Sequence, residues 1–174
     1  MEPHTSLGNS EPAVPVTGVI PLDRMAGDSK EDTLLLREMA NEAEQFLASF
    51  QWCESIKESF FGAGIGGIAA VFLFHIIPAK PHVDEWLWVV VGDIPPAYLV
   101  IETNTTPAEA LEAYIEEMRR WVDLAYRGQT SADVIPVNVP ATPEWANNLS
   151  ERLKMLESVV LPQFGLRENP PNAT

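Results

Sequence analysis

Two short segments constrain this chain more than anything else in it. IAAVFLFHI, residues 68–76, and EWLWVVV, residues 85–91, are rich in β-branched and aromatic residues and read as strands. In the first, Ile68, Ala70, Phe72, Phe74 and Ile76 share one side and Ala69, Val71, Leu73 and His75 the other. In the second, Trp86, Trp88 and Val90 oppose Leu87, Val89 and Val91. Both strands are therefore apolar on both faces. A sheet with one wet face alternates apolar with polar residues, so this sheet must be covered on both sides.

Three amphipathic segments can supply that cover. Ser29-Lys30-Glu31-Asp32 matches a capping box, and Leu35, Met39, Ala43, Phe46 and Phe50 recur at helical spacing behind it, predicting a helix over about 31–50. Thr106-Pro107-Ala108-Glu109 opens a second helix with a cap hydroxyl, Pro at the first position and Glu at the third. Its stripe is Leu111, Ile115, Met118, Val122 and Ala125, widened by Tyr114 and Trp121, and Gly128 ends it. Thr142-Pro143 caps a third helix with Trp145, Leu149, Leu153, Leu156 and Val160 on one face, and Pro162 is expected to stop it. One helix on one face and two on the other would bury the sheet within a single chain. If all three packed on one face, the other would have to meet a partner chain, which leaves a homodimer open.

Between these helices CESIKESFF reads as an edge strand, followed by a glycine turn. Gly92-Asp93-Ile94-Pro95-Pro96 reads as another turn, with Ala97 to Glu102 returning as a further strand. Connections this short imply antiparallel neighbours, since a parallel crossover needs about a dozen residues or more. The expected fold class is α+β, with a central antiparallel sheet of three or four strands covered by about three amphipathic helices. Residues 1–28, rich in Pro, Gly, Ser and Asn, are expected to form a mobile arm, with Val16 to Leu22 lying extended along the domain. Residues 29–166 form the single domain and 167–174 a short tail.

The same glycine stretch raises two competing readings. Gly62, Gly64 and Gly67 have the spacing of a dinucleotide-binding turn, and FFGAGIGGIAAVFLFHII approaches membrane-spanning length. A dinucleotide turn, however, follows a strand and opens a helix, so that phosphate meets free N–H groups. Here the glycines lead into a strand. Glu85, in the place of a ribose-binding acid, precedes its strand where that acid should end one. Four glycines with one leucine also make a poor spanning helix. The glycines are expected to serve a turn or a bulge.

Charge narrows the function classes. The 174 residues carry 25 acidic side chains against 11 basic ones, a formal net charge of −14. Phosphate backbones and anionic membranes need clustered Lys and Arg, so neither nucleic acid nor a membrane is an expected partner. A strongly acidic surface suits capture of a basic protein. Cys53 is the sole cysteine, and the N-terminus lacks the basic start and apolar core of a secretory signal, so a cytoplasmic setting is expected.

Catalytic candidates are few. Cys53 as nucleophile with His75 as base is one pairing. Glu85, Asp93 and Tyr98 form a carboxylate alternative, in which Asp93 ends an apolar strand. His75, His82, Asp84 and Glu85 carry metal-ligating atoms but have no diagnostic spacing, so no metal and no cofactor is expected. The most suggestive stretch is Asp84 to Glu102, where a rigid Pro95-Pro96 turn flanked by Tyr98 and the tryptophan pair suits a binding edge. The sequence therefore points first to a non-enzymatic protein-binding protein using Glu85, Asp93, Pro95, Pro96 and Tyr98. An immunity- or antitoxin-like neutraliser of a basic protein is its most concrete form. The alternative is a small enzyme on one of the two catalytic sets.

Overall fold

A computed structural model of the chain describes residues 13–168. Residues 1–12 of the expected arm and 169–174 of the expected tail lie outside the described residues. Five strands form one antiparallel sheet in sequence order: β1 (Ile20–Pro21), β2 (Cys53–Ile65), β3 (Ala69–Pro78), β4 (Trp86–Gly92) and β5 (Ile94–Val100). The helices are α1 (Lys30–Ala48), α2 (Pro107–Tyr126), α3 (Pro143–Met155) and α4 (Leu161–Glu168), with a wide turn of π-helix, Leu156–Val160, joining the last two into one run. The architecture is α+β, but the sheet has five strands rather than three or four. The extra strand is a two-residue pairing, Ile20 with Phe61 and Pro21 with Phe60. It has no periodicity to read, because the long free edge of β2 supplies the template.

The sheet is buried on both faces by the chain's own helices. On one side α1 sets Leu36, Met39, Ala40, Ala43 and Leu47 over Phe72, Phe74, Leu87 and Val89. On the other, α2 and the α3–α4 run pack Tyr114, Met118, Leu153 and Phe164 over Val71, Leu73, Trp88 and Val90. The side assignments of β3 and β4 follow their alternation in sequence. Burying side chains of this size stabilises by roughly 1.5–3 kcal/mol each, so both layers are indispensable. Among the described residues, β3 and β4 are covered on both faces by helices of the chain itself.

Several local expectations need correction. The buried stripe of α1 keeps the expected Met39 and Ala43 and adds Leu36, Ala40 and Leu47, while Leu35 is exposed and Phe46 and Phe50 are half-buried. The run Leu34-Leu35-Leu36 offers neighbouring tracks around the helix, and the track with Ala40 and Ala43 lets the helix sit low on the phenylalanines of β3. In α3 the buried position is Ala146, leaving Trp145 43% exposed. Pro162 does not stop the third helix. The i+5 turn before it widens the helix where the proline ring would otherwise strike the carbonyl four residues back.

The glycine stretch is a β-hairpin. Gly62 sits at a register shift in β2 and Gly64 lies within the strand, so β2 runs beyond the expected turn to Ile65. The turn itself is made by Gly66 and Gly67, with Gly67 at φ 78° and the Ile68 N–H bonded to the Ile65 carbonyl at 3.0 Å. It leads into the strand β3, so the glycines do not open a helix as a dinucleotide-binding turn does. Asp32, in the first turn of α1, clamps this hairpin by accepting the Gly66 N–H at 2.7 Å. Among the described residues no helix is long and apolar enough to cross a membrane.

Candidate functional site

The turn between β4 and β5 is tighter than the sequence suggests. Gly92 pairs with Ile94 around Asp93, whose N–H donates to the Ile68 carbonyl at 3.0 Å. Pro95 and Pro96 thus lie inside β5. They are tolerated because β5 is the outermost strand, where missing N–H groups break few ladder bonds. The Pro95 carbonyl accepts a 2.6 Å hydrogen bond from the Tyr114 hydroxyl, fixing the turn to α2. Burial of Tyr114 pushes its phenol far above the ordinary tyrosine range.

Asp93 projects outward rather than into a dry pocket. Its carboxylate is 73% exposed and accepts from the Arg152 guanidinium of α3 at 3.3 Å. Pro95, Trp121, Val139, Trp145 and Arg152 line a groove of about 330 Å³ beside the turn. On the opposite flank of Asp93, Glu38 and Glu42 of α1 add two further carboxylates around Gly67 and Gly92. The end of the sheet at Asp93 is thereby acidic on one side and aromatic, with one paired arginine, on the other.

Tyr98 lies farther along β5 on the α1 side and gathers an aromatic cluster. Its ring meets Trp52 with centroids 4.9 Å apart and Phe50 at 5.2 Å, both edge-on, and Phe46 at 6.4 Å. Phe50 in turn stacks on Trp52 at 4.9 Å. Phe46 lies in the last turn of α1, and Phe50 and Trp52 lie in the connection from α1 to β2. Phe46, off the fully buried track of α1, therefore reaches this cluster while also packing against the α1-side core. Tyr98 remains 36% exposed, so the group is a partly open apolar surface.

The remaining sequence candidates are dispersed. His75 lies on the α2 side of the sheet, buried, stacked on Trp86 at 4.1 Å with its Nε2 3.5 Å from the Glu85 carboxylate. Its Nδ1 is buried without a partner among the described residues. Cys53 faces the α1 side, so nucleophile and base point to opposite faces of the sheet. Burial also raises the Cys53 thiol above its ordinary range, which favours the neutral form. Glu85 and Asp93 stand before and after β4, about 25 Å apart along an extended strand. Neither catalytic set is assembled. His82 and Asp84 are exposed, and among the described residues no three His, Cys, Asp or Glu groups converge to hold a metal ion.

The tryptophans flanking the turn also differ from expectation. Trp88 is fully buried, its indole N–H donating to the Asn104 carbonyl at 2.8 Å, and Trp86 lies at the His75 end. Trp121 and Trp145 take their place beside Pro95. The signal for Trp145 was present in its position within the first turn after the Thr142 cap, one residue off the buried Ala146–Leu149–Leu153 track. The chain matches no protein-family model, no curated protein and no solved structure.

Proposed function

We propose that this is a non-enzymatic protein-binding protein that holds a basic partner through its acidic surface and the β5 region from Asp93 to Tyr98. The observation that carries the reading is the cluster at Tyr98. Four aromatic rings from α1, the approach to β2 and β5 converge there, beside prolines that hold the strand rigid. Aromatic anchors on a stiff frame lose little conformational entropy on binding, and such residues dominate interface energetics. The net charge of −14 supplies long-range attraction for a basic protein, so association should be fast and salt-sensitive. An immunity- or antitoxin-like neutraliser of a basic protein is the most concrete form of this proposal, and a lone cysteine suits a cytoplasmic setting.

Affinity capture from the native host lysate tests it, with wild type and Tyr98→Ala as baits at low and high salt. The expected result is a stoichiometric basic protein on the wild-type bait at low salt, lost at high salt and depleted on the variant. Retention indifferent to salt contradicts the acidic-surface mechanism, and equal retention on both baits contradicts the Tyr98 site.

A further inference from the structure

The register of the sheet shows which backbone groups lie on its outer edge. In the β3–β4 ladder the Ile76 N–H donates to the Glu85 carbonyl at 2.8 Å, and the Asp93 N–H to the Ile68 carbonyl at 3.0 Å. Antiparallel strands alternate the side to which backbone groups point, so the odd-numbered residues of β4 face β3 while Trp88 and Val90 face β5. Trp88 is opposite Leu99 and Val90 opposite Ala97, which commits the backbone groups of Leu99 and Ala97 to β4. The N–H and C=O of Tyr98 and the N–H of Val100 therefore point away from the sheet, where, among the described residues, β5 has no further strand beside it. The Val100 carbonyl shares that side and already accepts from the Asn104 side-chain amide at 3.2 Å, as this parity requires.

This edge runs along a groove of about 710 Å³, with Phe46 and Phe50 on one wall, residues 130–137 on the other, and Glu117 and Trp121 contributed by α2. We propose that the groove takes an extended, lysine- or arginine-bearing segment of a protein partner, which adds to β5 as a further strand. The proposal rests on the protein-binding reading above and names the kind of segment bound. A strand edge recognises any extended backbone through paired N–H and C=O groups, and the alternating side chains select among them. Pro95 and Pro96 have no N–H to offer, so the guest's register is centred on Tyr98, with Val100 as the second donor. Side chains of the guest alternate between the aromatic cluster and the side of Trp121.

The sign of the guest's charge follows from the groove. Glu117 and Asp133 both line it, in a chain of net charge −14. Glu117 is shared with Arg120 at 3.3 Å, whereas Asp133 is exposed and its carboxylate has no partner among the described residues. A second copy of this chain would set the same carboxylates against each other, which disfavours pairing of two β5 edges.

The test is a titration of the labelled full-length protein, followed by backbone amide NMR, with a capped heptapeptide of alternating lysine and valine. An alternating glutamate–valine peptide and a lysine–valine peptide N-methylated at alternate residues serve as controls. The expected result is saturable shifts confined to Tyr98, Val100 and residues 130–137. They should be absent with the acidic peptide, abolished by N-methylation, and weakened about two- to five-fold in Asp133→Asn. Shifts spread over the acidic surface, shifts unchanged by N-methylation, or none at millimolar peptide would overturn strand addition. So would a peptide-free dimer that protects the same amides. If the lysate capture still returns a Tyr98-dependent basic protein in any of those cases, only the edge site has failed and the protein-binding reading stands.

Discussion

Tyr98 meets the indole of Trp52 edge-on, ring centroids 4.9 Å apart, joining the last strand of the sheet to the approach of its second. Each ring in this corner is held by the others, yet the group stays partly open to solvent. Replacing Tyr98 with Ala should therefore cost only about 1 kcal/mol of stability, measured by urea unfolding. Its effect on partner binding should be larger, on the order of tenfold or more. Tyr98→Phe should leave stability within about 0.5 kcal/mol of wild type.

Asp32 ties α1 to the glycine hairpin, accepting from the Gly66 N–H at 2.7 Å and the Asp28 N–H at 2.9 Å. Asp32→Ala removes both acceptors and should destabilise by about 1–3 kcal/mol. The Gly66 amide should then lose hydrogen-exchange protection ahead of β3. Unchanged stability would show that the clamp is dispensable.

Two glycines at positive φ should respond very differently to alanine. Gly67, φ 78°, would set a Cβ no nearer than 4.0 Å to Leu35 Cδ1, an ordinary contact, so Gly67→Ala should cost about 1 kcal/mol. At Gly92, φ 151°, a Cβ would stand 2.2 Å from the Ile68 carbonyl oxygen, against backbone that cannot yield. Gly92→Ala should cost at least about 2–3 kcal/mol and disturb the Asp93 turn. Equal costs from thermal unfolding would contradict the turn geometry.

The buried Tyr114 phenol should give the protein's stability an alkaline limb. Its folded pKa is raised by burial, so folding favours the protonated form. Stability from this group is complete below the unfolded tyrosine value of about 10, and each pH unit above it removes about 1.4 kcal/mol. Tyr114→Phe should flatten that limb while losing about 1 kcal/mol at neutral pH with the bond to Pro95. An unchanged alkaline slope in the variant would mean that Tyr114 is not protected.

What the sequence made legible was whatever depends on local period. The two-sided strands β3 and β4 demanded cover on both faces, and Ser29, Thr106 and Thr142 marked helix starts that their hydroxyls do cap. The phase of α1 was harder, because three successive leucines leave the buried track to be chosen by β3. The π-helical passage at Pro162 and the two-residue β1 have no period at all. The candidate site was legible only as a region. Asp93, Pro95, Pro96 and Tyr98 belong to it, but their neighbours Phe46, Phe50, Trp52, Trp121, Trp145 and Arg152 come from segments brought together only by the sheet and its helices. Glu85 and His75 are drawn to the other end of β4 for the same reason.

The measurement that bears most directly on the account is calorimetric titration of the captured basic partner into wild type and Tyr98→Ala, each at low and high salt. The account predicts a one-to-one complex that weakens with salt and loses about tenfold or more in affinity in the variant at both salts. Full-strength binding to the folded Tyr98→Ala protein would contradict the claim that this corner is the binding site.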